Sequence, residues 1–134
     1  MPAVNYIALL VAGIASMVIG YLWYGPLFGK AWMKLSGISS ADMEKGKKEM
    51  PKTYGIMYVS SLVMAYVLAV FISYAGAKDL VSGAMVGFWA GIGFVATVGL
   101  SMVLFDKKPF NLYLINVGYH VATLMVMGGI ISQM

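Results

Sequence analysis

Cysteine and arginine are both missing from this sequence, and only five residues are acidic. Without Cys there is no disulfide, no thiolate nucleophile and no Cys-based metal or iron–sulfur site. Without Arg there is no planar, bidentate clamp for a phosphate or carboxylate. Charge itself is scarce, at 10% of residues against 61% hydrophobic, where a soluble domain has about 25% and about 45–50%. The charged residues are confined to Lys30–Lys52, Lys78–Asp79 and Asp106–Lys108. Between them lie four uncharged stretches, Met1–Gly29, Thr53–Ala77, Leu80–Phe105 and Pro109–Met134, of 29, 25, 26 and 26 residues. A helix of about 20 mostly apolar residues crosses a bilayer. This pattern excludes a soluble globular domain, a disordered chain and a nucleic-acid-binding module.

What is present reads as an all-α membrane protein, a single domain over residues 1–134 with four transmembrane helices in a compact bundle. The helices are expected at Val4–Leu27, Tyr54–Ala75, Leu80–Phe105 and Phe110–Ser132, with a loop over residues 28–53. Backbone polar groups in hydrocarbon must be satisfied within the element, so helices are the default, and these stretches lack the alternation of a barrel. Met1–Tyr6 has no basic residue, and the uncharged run is too long for a signal-peptide core. With Pro at position 2 and no Cys, no lipidation motif appears.

Lysine placement predicts sidedness. Lys30, Lys34, Lys45, Lys47, Lys48, Lys52, Lys107 and Lys108 fall in two loops on one side, and Lys78 alone falls on the other. Positive loops stay in the cytoplasm, so both termini are expected outside, in a bacterial inner membrane. The partners expected are the bilayer, with anionic headgroups at the cytoplasmic face, and further copies of the chain in a homo-oligomer; nucleic acid is not expected. In the large loop, Ser39 or Ser40 followed by Asp42 and Glu44 suggests a capped, charged helix ended near Pro51.

Lipid is as apolar as leucine, so helix association in a bilayer depends on close packing and interhelical hydrogen bonds. Gly83, Gly87 and Gly91 form a seam at four-residue spacing. Ser61, Ala65, Ala69 and Ser73 form a second, and Ala8, Ala12 and Ser16 a third; Gly118 and Ala122 offer another. Leu27-Phe28-Gly29-Lys30 and Leu104-Phe105-Asp106-Lys107 end two helices that run in the same direction, which raises the arrangement of two parallel helical hairpins.

No Asp, Glu, Lys or Arg lies within a span, so candidates for chemistry are few. The last helix carries Tyr113, Asn116, His120, Thr123 and Met127 at spacings of 3, 4, 3 and 4, one helical face. With Ser61 and Thr97 from other helices, and Ser16, Ser60 and Ser101 nearby, they form a candidate polar cluster. His120 at mid-bilayer either titrates and relays a proton or serves, with Asn116, as hydrogen-bonded glue. One His without a carboxylate or thiolate is a poor metal site, and no acid orients it for a nucleophilic triad. No catalytic residue, metal or cofactor is expected.

The string Trp23-Tyr24-Gly25-Pro26-Leu27-Phe28-Gly29-Lys30-Ala31-Trp32 is the most distinctive. Gly25-Pro26 is expected to break or kink the first helix where it leaves hydrocarbon, with Trp23, Tyr24, Lys30 and Trp32 as interface anchors. Together with Met33–Gly37, Asp42-Met43, Ser61–Ala69 and Gly93-Phe94 through Leu104-Phe105, this string resembles the bacterial membrane family catalogued as domain of unknown function 1761. The resemblance implies a small four-helix integral membrane protein and supplies no catalytic residue. Two functions remain open. One is an oligomeric module providing a passage or binding cavity for a small solute, proton or ion. The other is a structural or accessory membrane subunit. A lipid-acting enzyme is the least supported.

Overall fold

A computed structural model describes residues 5–36, 48 and 50–134. Five helices and no strand occur among them, four of the helices being long and apolar enough to cross a membrane. α1 spans Tyr6–Leu22 and continues as a wider π-helical turn over Trp23–Leu27; α2 is Gly29–Ser36; α3 is Met50–Ala75. α4 starts as Leu80–Ala90, widens into a π-helical stretch over Gly91–Ala96 and runs on to Leu104; α5 is Phe110–Gln133. The expected capped helix around Ser39, Ser40, Asp42 and Glu44 lies outside the described residues. Pro51 stands in the first turn of α3, where a missing N–H costs no hydrogen bond.

Each described turn has a local cause. Asn5 caps α1, its Oδ1 accepting from the backbone N–H of Ile7 and Ala8 at 3.1 and 3.2 Å. α3 ends on Gly76, whose φ of +73° belongs to the left-handed region. There the Ala77 N–H reaches the Ile72 carbonyl (3.2 Å) and the Gly76 N–H the Ser73 carbonyl (3.3 Å), a Schellman closure that needs glycine. Asp79 then opens α4 in a reciprocal capping box with Ser82. The Ser82 hydroxyl, and then its backbone N–H, hold the Asp79 carboxyl below its ordinary range, so the cap keeps its charge into acid.

α5 is the hub, in contact with α1, α3 and α4. Its contact with α4 is made backbone to backbone. A Cβ on Gly83 would strike the Gly128 carbonyl and the Ser132 hydroxyl, and one on Gly87 would strike the Leu124 carbonyl. One on Gly91 would meet Val121. The glycine seam is therefore spent within the chain. Ala8, Ala12 and Ser16 of α1 and Ser61, Ala65 and Ala69 of α3 are likewise buried, whereas Ser73 is exposed. The core gathers Leu9, Ala12, Ala65, Leu68, Ala69, Ile72, Leu124 and Met127 toward the Asp79 end. At the opposite, lysine-rich end the bundle opens, and residues 51–57 of α3 are exposed on every face. Leu, Val, Ile and Phe side chains cover the outside, and Trp89, 63% exposed, stands among them; in hydrocarbon that surface carries no penalty. The hairpins α1–α3 and α4–α5 pack differently: Gly13 of α1 meets the side chains of Tyr58 and Leu62, not a backbone.

Candidate functional site

The polar residues of the spans converge where α1 leaves the membrane and crosses α5. Two adjacent residues that open the π-helical turn bond to the same neighbour: the Trp23 indole N–H donates to the Ile115 carbonyl (2.9 Å) and the Tyr24 hydroxyl to Asn116 Oδ1 (2.8 Å). Pro26 fits inside the turn, and the helix ends two residues later, at Phe28. The expected break at Gly25-Pro26 is thus a widening, and a Cβ on Gly25 would meet nothing within 4 Å. The glycine that the corner does need is Gly29, whose Cβ would press on the Tyr24 carbonyl.

An aromatic cluster surrounds this lock. The Tyr24 ring meets Trp32 and Tyr119 edge-on, with centroids 5.5 and 5.2 Å away, and Trp23 lies 4.9 Å from Phe28. One turn deeper, the Tyr119 hydroxyl donates to the Ser16 carbonyl (3.3 Å), and the buried Ser16 hydroxyl donates to Gly13 (2.7 Å). Tyr119 is a residue that the sequence pattern missed. It lies one position off the polar stripe, and a tyrosine in an apolar run carries no sign that its hydroxyl will meet a backbone.

The expected single face of α5 is divided among three neighbours. Tyr113 turns to α4, where its hydroxyl donates to the Ala96 carbonyl (2.6 Å) at the end of the widened stretch. Asn116 turns to α1. Thr123 and Met127 are fully buried, Met127 within the core that α3 completes. His120, half-buried beside the Tyr119 ring at 5.1 Å, makes no hydrogen bond among the described residues. Ser61 is buried on α3. Thr97 does not join the cluster: its hydroxyl bonds back to the Gly93 carbonyl of its own helix (2.6 Å) and its side chain is exposed. Ser60 and Ser101 are also exposed. The irregular stretch of α4 therefore has two side-chain donors on its carbonyls, from Thr97 and Tyr113, as a non-ideal helix in hydrocarbon requires.

Four apolar spans, an interior without formal charge and a polar lock at one end define a multi-pass membrane protein. The model of the family described as protein of unknown function, DUF1761, matches residues 7–132. The chain belongs to that family. No match was found among the curated proteins or among the solved structures.

Proposed function

We propose that the chain works as a structural or accessory membrane module, its intramembrane polar residues serving to fix the crossing of α1 and α5. The supporting observation is the paired lock, Trp23 to the Ile115 carbonyl and Tyr24 to Asn116, extended inward by Tyr119 to Ser16. These donors are spent on helix–helix bonds, which leaves few to line a hydrated path. Interhelical bonds of this kind are worth about 0.6–2 kcal/mol each. In this reading the lysine-rich loops face the cytoplasm of a bacterial cell and both chain ends face out. An oligomer, if formed, uses a face other than the Gly83–Gly91 seam.

One observation favours a second reading, a passage for a proton or small solute: His120 is half-buried with no hydrogen bond among the described residues. Two measurements separate the readings. In unfolding titrations, Tyr24→Phe and Asn116→Leu should each destabilise, and their double-mutant cycle should show about 1 kcal/mol of coupling. In proteoliposomes, the wild-type chain should pass protons no faster than protein-free vesicles. Flux that His120→Ala abolishes would establish the passage instead. For sidedness, the Cys-free chain allows single Cys probes: in intact cells an impermeant maleimide should label Lys78→Cys and spare Lys48→Cys, and the reverse would invert the topology.

A further inference from the structure

The chain turns through Phe28 and Gly29 directly from the α1 span into α2, which packs on the π-helical turn and on α5. Leu112, in the first turn of α5 and one turn before Asn116, is buried at 4% exposure. The exposed Lys107 and Lys108 stand just before that turn, so α2 lies at the level where both spans reach the membrane surface. It has two faces. Gly29, Trp32, Met33 and Leu35 are buried or half-buried; Lys30, Ala31 and Lys34 are exposed. The buried face is held by the Tyr24–Trp32 edge contact, and Tyr24 is fixed in turn by Asn116. Lys30 and Lys34, one helical turn apart, lie on the same face of α2, and neither makes an ion pair among the described residues.

We propose that α2 is a binding site for the phosphodiester of an anionic phospholipid, held by Lys30 and Lys34. The physical case is charge and position together. An amphipathic helix in the interface sinks its apolar face to headgroup depth, where its lysines meet phosphate. Here a packed corner fixes the helix backbone, so binding has only the two lysine side chains left to order. Lys107 and Lys108 carry the same charge in a non-helical connection, Lys107 at a φ of +55°, and have no such platform. Lysine acts as a point charge without the fork geometry of arginine, so the site selects net negative charge over headgroup shape. Phosphatidylglycerol and phosphatidylserine should bind alike, and phosphatidylcholine poorly.

The test is lipid retention by the purified full chain in mixed micelles of phosphatidylglycerol and phosphatidylcholine, read by native mass spectrometry. A lysine near a charged surface contributes about fivefold, so Lys30→Gln/Lys34→Gln should lower phosphatidylglycerol affinity by at least about tenfold. Both side chains are exposed, so the thermal midpoint in phosphatidylcholine micelles should not move, which separates lost binding from lost folding. An unchanged lipid ratio in the double variant overturns the proposal. So does an equal loss in Lys107→Gln/Lys108→Gln, which would assign the preference to the general charge of that surface. Displacement of the lipid by millimolar inorganic phosphate would reassign the site to a free anion.

Discussion

Gly87→Ala should cost the fold about 3 kcal/mol, near the upper end of overpacking effects. The new methyl would press on the Leu124 carbonyl of α5, and a carbonyl in a continuous helix has no rotamer through which to withdraw. Relief requires the two backbones to part. That opens the neighbouring contacts at Gly83 and Gly91 and lengthens the close approach on which association in lipid depends. The comparison is Gly55→Ala in α3, where a Cβ meets nothing within 4 Å. There the substitution should be neutral or stabilise by up to about 1 kcal/mol through helix propensity. Unfolding of the two variants by SDS titration, beside the wild type, checks both. Equal stability of Gly87→Ala and Gly55→Ala would mean that α4 is not seated on α5 as described.

The contrast shows which parts of the fold a sequence states openly. Membrane spans announce themselves by missing charge, because a lysine or aspartate in hydrocarbon is costly whatever surrounds it. The seam at Gly83, Gly87 and Gly91 was legible for a similar reason, since small residues at four-residue spacing have few other uses. Its partner was not legible: nothing in the spacing tells whether Leu124 and Gly128 of the same chain or a second copy lies opposite. The π-helical turns were hidden because each adds one residue to a helical turn, a change of register that depends on what the neighbouring helix offers. Trp23 and Tyr24 open the first of these turns and bond to adjacent residues of α5, and the anticipated Gly25-Pro26 break is a widened turn that carries the helix to Phe28. The polar stripe of α5 was read as one face because its spacing is that of one face. In a hub helix with three neighbours, a stripe spread over about four turns crosses from one neighbour to the next, so Tyr113, Asn116 and Met127 have different surroundings.

Trp23→Ala should produce the second large loss, about 2–3 kcal/mol, below the range for a fully buried tryptophan because Trp23 is half-buried. Two contributions are involved and they can be separated. Trp23→Phe keeps a ring but removes the donor to Ile115, and should cost about 1 kcal/mol. The remainder is packing. The six-membered edge of the indole lies over Gly118, where a Cβ would stand 3.0 Å from Trp23 Cζ2. Gly118→Ala should therefore destabilise the wild-type chain, since a ring held by its own hydrogen bond and by Phe28 has little room to give. In the Trp23→Ala background the same methyl enters vacated space and should be neutral or restore part of the loss. That reversal of sign in a double-mutant cycle is the signature of direct contact. Additive losses would place Trp23 away from Gly118, and with it would go the crossing of α1 and α5 on which the Tyr24–Asn116 bond depends.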